Sequence, residues 1–86
     1  MKIFVCTLPD GAFFTNAAGE NVPIKNRIRQ ITNGIRDTSV EEDFSCGESR
    51  IMQVSCKSPE AALLMKLELA TIPQVRVAEF QMTPQN

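Results

Sequence analysis

The groups in this chain with chemistry to offer are three cysteines, a cluster of cations at 25–36 and a cluster of acids at 37–48. Cys6, Cys46 and Cys56 match neither a paired-thiol redox motif nor a zinc knuckle in their spacing. Cys6 and Cys56 fall on strand-like runs, where a free cysteine behaves as a small apolar residue. Cys46 sits in the polar turn Ser45-Cys46-Gly47-Glu48-Ser49 and reads as an exposed thiol. The chain has no His, so activating that thiol would need some other base.

Asp37, Glu41, Glu42, Asp43 and Glu48 follow one another with no cation before Arg50. Read as a flexible loop, Glu41, Glu42 and Asp43 are solvated rather than arranged as an acid/base pair, and the spacing is not that of an EF-hand. Gly11, Gly19, Gly34 and Gly47 are scattered singly, so no phosphate-cradling loop is present. The sequence therefore predicts no catalytic residue, no metal site and no cofactor.

Lys25, Arg27, Arg29 and Arg36 carry no acid among them. At 100° per residue, Lys25, Arg29 and Arg36 fall within about 40° of one another, while Arg27 flanks the other side. Such a stripe suits phosphates or an acidic protein, and it equally suits a solvated helix face paired with the neighbouring acids. A net charge of -1 argues against a general nucleic-acid coat. Phe13, Phe14 and Phe80 lack the basic-aromatic consensus of single-strand readers, and core packing accounts for them.

These groups depend on the elements that carry them. Residues 2–8 form a strand apolar on both faces, hence a central one. Pro9-Asp10-Gly11 turns the chain, and 12–15 return as a short second strand of a hairpin. Ile24, Ile28, Ile31 and Ile35 recur at helical spacing, which predicts a helix over 22–36, capped by Asn21 and continuing through Gly34. Residues 37–50 read as an acidic loop with a short strand near Phe44. Met52, Val54 and Cys56 alternate with polar residues as a half-buried strand. Ser58-Pro59-Glu60 starts a second helix that ends before Pro73. Residues 75–82 form a last strand with a bulge near its middle, and 83–86 fray.

The expected fold is one small α+β domain over 1–86, a mainly antiparallel sheet with both helices packed against it. Its order resembles the ferredoxin-like split βαβ arrangement, provided the stretch around 43–46 pairs as a strand. This is a resemblance of topology, and topology does not imply function.

The second helix is apolar on nearly every side, and one sheet cannot cover all of it. Leu64, Met65 and Leu69 are therefore expected at a self-interface, with a symmetric homo-oligomer as the simplest cover. The first apolar run, at about six residues, is too short for a signal peptide, and no run reaches the roughly 18 needed to cross a bilayer. The expectation is a cytoplasmic, non-enzymatic binding or regulatory protein (an inhibitor, adaptor or accessory subunit) with a protein partner. Its size fits a viral or mobile-element accessory protein. The alternative is a module that binds nucleic acid or a phosphorylated small ligand through the basic stripe.

Overall fold

The computed structural model describes residues 1–82, and the expected frayed tail lies outside the described residues. In chain order the elements are β1 (Lys2–Pro9), β2 (Phe13–Thr15), β3 (Asn21–Pro23), α1 (Ile24–Gly34), β4 (Thr38–Cys46), β5 (Ser49–Cys56), α2 (Pro59–Leu69) and β6 (Arg76–Gln81). Four strands make one antiparallel sheet in the order β4-β5-β1-β6, and β2 and β3 form a separate two-stranded ribbon. With that ribbon set aside, the elements run β-α-β-β-α-β. The fold is α+β, two helices on a mainly antiparallel sheet.

The apolar residues on both faces of β1 place it in the interior of the sheet, between β5 and β6. Phe4, Cys6 and Leu8 from β1 and Met52, Val54 and Cys56 from β5 point to one side. There they meet Ile24, Ile28 and Ile31 of α1, and Ala61, Ala62, Met65 and Leu69 of α2, in one buried cluster closed by Ile72. Both helices therefore cover the same face of the sheet.

Several elements differ from the sequence expectation. β2 does not pair back onto β1; it pairs with β3, Phe13 opposite Pro23. The turn between them is tied by the Asn16 side-chain oxygen, which accepts from the backbone N–H groups of Ala18 and Glu20. α1 is shorter than expected at both ends. Its N-cap is Pro23, with no side-chain cap, and Asn21 belongs to β3. The helix stops at Gly34, and Ile35 is extended yet still packed against the core. The stripe thus outlives the helix, because one further core contact can be made by a residue leaving it.

The largest difference is β4. Nine residues expected mainly as loop form a strand paired along its whole length with β5, with a bulge between Val40 and Glu42. β6, where a bulge was expected, holds an unbroken register with β1 from Lys2–Gln81 to Thr7–Arg76. α2 begins as read: Ser58 Oγ accepts from the Ala61 N–H at 3.1 Å, and Pro59 follows. Among the described residues no helix is long and apolar enough to cross a membrane.

Candidate functional site

Of the charged groups singled out in the sequence, Arg29 and Asp43 pair with each other and Arg27 pairs with Glu68. Lys25 and Arg29 stand one turn apart on α1, but the helix ends before Arg36, which leaves the stripe. Arg29 Nη2 donates to Asp43 Oδ2 at 2.6 Å. The other oxygen of Asp43 accepts from Arg50 Nη1 at 2.5 Å, and Arg50 Nε reaches Asp10 Oδ1 at 3.1 Å. Ser45 donates to the second oxygen of Asp10. On the far side of α1, Arg27 meets Glu68 of α2 at 3.2 Å. Arg36 makes no ion pair among the described residues.

This Arg29–Asp43–Arg50–Asp10 chain links α1, β4, β5 and the turn after β1. Burial alone would raise the Asp43 carboxyl, but hydrogen bonds from Arg29 and Arg50 prevail and hold it below its usual range. Asp10 is lowered by its hydrogen bonds from Arg50 and Ser45, with Lys25 adding a small attraction. Arg50 is raised in turn by Asp43 and Asp10. Carboxylates held ionised by arginines are poor bases, so the cluster reads as a structural clamp.

The three acids expected together in a loop are separated by the strand they occupy. Asp43 pairs in register with Met52 and so lies on the helix side, while Glu42 pairs with Gln53 on the opposite side. Glu41, at the bulge, accepts from the hydroxyls of Ser39 at 2.7 Å and Ser55 at 2.8 Å. Those two hydroxyls lower the Glu41 carboxyl, so it also is an acceptor rather than a proton abstractor. Asp43 is thus set apart from Glu41 and Glu42, which lie on the helix-free side of β4.

On α2, the structure buries Met65 and Leu69, two of the three residues expected at a self-interface, in the core. Small residues decide this: Ala61 and Ala62 face the sheet and let the helix approach, and Met65 and Leu69 continue that face. Leu64 is exposed as expected, together with Leu63 and Leu67, at 51%, 59% and 58% of full exposure.

A surface the sequence reading did not single out lies on the sheet face that carries no helix. Side chains there alternate with the core set. Ile3 and Val5 come from β1, Ile51 and Gln53 from β5, Phe44 from β4, and Ala78 and Phe80 from β6, with Met82 just beyond. Phe44, Phe80 and Met82 are exposed. Ile3, Val5, Gln53, Ser55, Phe80 and Met82 line a shallow groove of about 450 Å³. The signal was present in β1: a strand apolar on both faces, in a chain whose two helices share one side, leaves its second face uncovered.

Cys46 is exposed at the end of β4, while Cys6 and Cys56 are buried. Burial, with a smaller contribution from Cys56, pushes the Cys6 thiol up to about 12, which makes it an inert packing group. Among the described residues no three metal-ligating side chains converge. Against known proteins, the chain matches no family model, no characterised protein and no solved structure.

Proposed function

We propose that this chain is a small non-enzymatic binding protein, an inhibitor, adaptor or accessory subunit acting through protein–protein contacts in a homo-oligomer. The observation that carries this reading is the group Leu63, Leu64 and Leu67, three large apolar side chains held outward by a helix whose small residues face the core. A folded domain of this size that keeps three leucines in water has a use for them in a contact. The reading extends, as proposals, to a cytoplasmic setting and to a viral or mobile-element origin, the latter suggested by the small size of the chain.

The phosphate-binding alternative draws less support, since Arg29 and Arg27 are engaged with Asp43 and Glu68. Affinity capture from the native host, followed by mass spectrometry and nucleic-acid analysis, separates the two. The expected result is a protein partner retained at moderate salt and lost with Leu64→Asp, the far-ultraviolet circular dichroism being unchanged. Recovery of nucleic acid that dissociates steeply with salt and with Lys25→Ala would overturn it.

A further inference from the structure

We infer that the uncovered face of the four-stranded sheet is the self-interface: a second copy of this chain packs on it sheet to sheet, with β4 of one copy over β6 of the other. The inference rests on the oligomeric part of the function proposed above and moves it from α2 to the sheet. α2 is thereby left free for a different partner.

The first reason is the apolar content of the face. Ile3, Val5 and Ile51 form its centre, and Phe44 and Phe80 stand on the two edge strands with Met82 beside them. Sheets of this kind pack at about 10 Å with their inner side chains interdigitated. Ile3 is only 8% exposed, so the centre is already partly dried by its neighbours while the aromatic rim stands at 46% and 54%. Phe44, Phe80 and Met82 are therefore the large exposed apolar side chains that a second copy would cover.

The second reason is size. Four strands at about 4.8 Å spacing give a width of about 19 Å, and the eight residues of β1 a length of about 26 Å. The footprint is on the order of 500 Å² per copy, or about 1,000 Å² for the pair, at the threshold a specific interface must clear.

The third reason is charge, and it selects the orientation. On this face the anionic edge is β4, with Glu41 and Glu42, and the cationic edge is β6, with Arg76. Neither Glu42 nor Arg76 has an ion-pair partner among the described residues. Two-fold axes in the plane of the interface allow two stackings. An axis across the strands sets β4 on β4, bringing the Glu42 carboxylates towards each other. An axis along the strands sets β4 on β6 and preserves the level along the strand. Through the register, Phe44, Ile51, Thr7 and Arg76 share one level, and Glu42, Gln53, Val5 and Ala78 share the next same-face level. Arg76 of one copy then lies over Phe44 of the other, in position for a cation–π contact, and within an arginine's reach of Glu42. Only this second stacking joins opposite charges.

Sedimentation velocity on the whole chain, from about 1 to about 200 μM, tests the inference. The expected result is a monomer–dimer equilibrium whose dissociation constant rises about a hundredfold with Phe80→Glu, since each dimer would bury two of these rings. Phe80 is exposed in the single chain, so the variant should fold, and its circular dichroism and melting curve check that. Glu42→Arg should weaken the dimer, and Arg76→Glu in the same chain should restore it. A chain that stays monomeric at the highest concentration overturns the inference. So does a folded Phe80→Glu variant that still dimerises as the parent does. Dimerisation lost with Leu64→Asp and kept with Phe80→Glu assigns self-association to α2 and overturns it equally. A failure of the Leu64-dependent capture with the Phe80-dependent dimer intact would remove only the partner reading above.

Discussion

α1 and α2 each have 11 residues and lie on the same face of the same sheet, yet they are held there by different means. α1 is amphipathic in the ordinary way: Ile24, Ile28 and Ile31 are buried, and its two arginines meet acids on neighbouring elements through Arg29–Asp43 and Arg27–Glu68. α2 is apolar nearly all round, and its seat in the core is decided by shape. Two alanines face the sheet, Met65 and Leu69 fill the space behind them, and three leucines are left outside. Hydrophobicity alone does not choose the buried face of a helix; the approach distance its small residues allow also counts. Close packing thus decides which leucines of α2 stay outside, whereas α1 leaves nothing apolar over.

The sharpest way to break this comparison is to exchange the roles assigned to neighbouring residues on α2. Met65→Ala should destabilise the fold by about 2–5 kcal/mol, since the side chain is wholly buried and leaves a cavity. Leu64→Ala, one residue away, should change stability by less than about 1 kcal/mol, because half of that side chain is already in water. Urea unfolding of both variants measures the difference. Equal losses would mean that α2 has no distinct outer face.

Acid should act on the Arg29–Asp43–Arg50–Asp10 chain at α1 and also on the Lys66–Glu79 pair at α2. Asp43 and Asp10 are held below their usual range by arginines, and Glu79 is lowered chiefly by Lys66. A carboxylate with a lowered folded pKa contributes stability that is complete above its unfolded value, about 4, and lost as pH falls through the folded one. The chain should therefore be equally stable between about pH 5 and 7 and weaken progressively below about 4. With Asp43→Asn the absolute stability drops at neutral pH and the acid limb becomes shallower. Denaturant midpoints taken across this range, compared between parent and variant, check the sign. An unchanged acid limb would mean that the Arg29–Asp43–Arg50 chain contributes nothing.

The start of each helix offers a smaller contrast. α2 is capped by the Ser58 hydroxyl, whereas α1 follows Pro23 with no side-chain cap. Ser58→Ala should cost about 1 kcal/mol, read from the thermal midpoint. Ser58→Asp, which keeps an acceptor at the positive end of the helix, should recover most of it.

What the sequence made legible follows the same division. The isoleucine stripe located α1, and Ser58-Pro59-Glu60 located the first turn of α2, because periodicity and capping are local. The apolar residues on both sides of β1 correctly made it central. Of β4 only the stretch near Phe44 was legible, because the rest is acidic and polar: Thr38, Ser39, Glu41, Glu42 and Asp43 join the strand through the pairing of β4 with β5, Glu41 at its bulge. Cross-strand pairing is not visible in the strand itself. The expected trio Leu64, Met65 and Leu69 failed in two members for a related reason. An all-apolar helix has no moment to say which way it faces, and that was settled by Ala61 and Ala62 against the sheet. The open sheet face was legible in principle from Ile3 and Val5, once both helices were known to share one side.

The end of α1 gives the finest test, because the sequence predicts a helix continuing through Gly34 and the structure ends it there. The helix does stop there, yet Gly34 is not in the left-handed conformation that makes glycine obligatory; the positive φ in this stretch belongs to Asp37. A methyl group added at Gly34 would meet nothing within 4 Å. Neither the backbone nor the packing requires glycine, and its remaining effect is the larger freedom it gives the unfolded chain. Gly34→Ala should therefore stabilise the protein by about 0.5 kcal/mol, at the lower end of the usual range because it sits in the last turn. The termination itself should survive, since Thr38 holds the exit with its one hydroxyl proton shared between the carbonyl oxygens of Thr32 at 2.7 Å and Ile35 at 2.8 Å. A rise in the thermal midpoint with unchanged helix content is the expected outcome. A fall would mean that the end of α1 needs glycine for a conformation this structure does not show, and a gain in helix content would mean that Gly34, not Thr38, stops it.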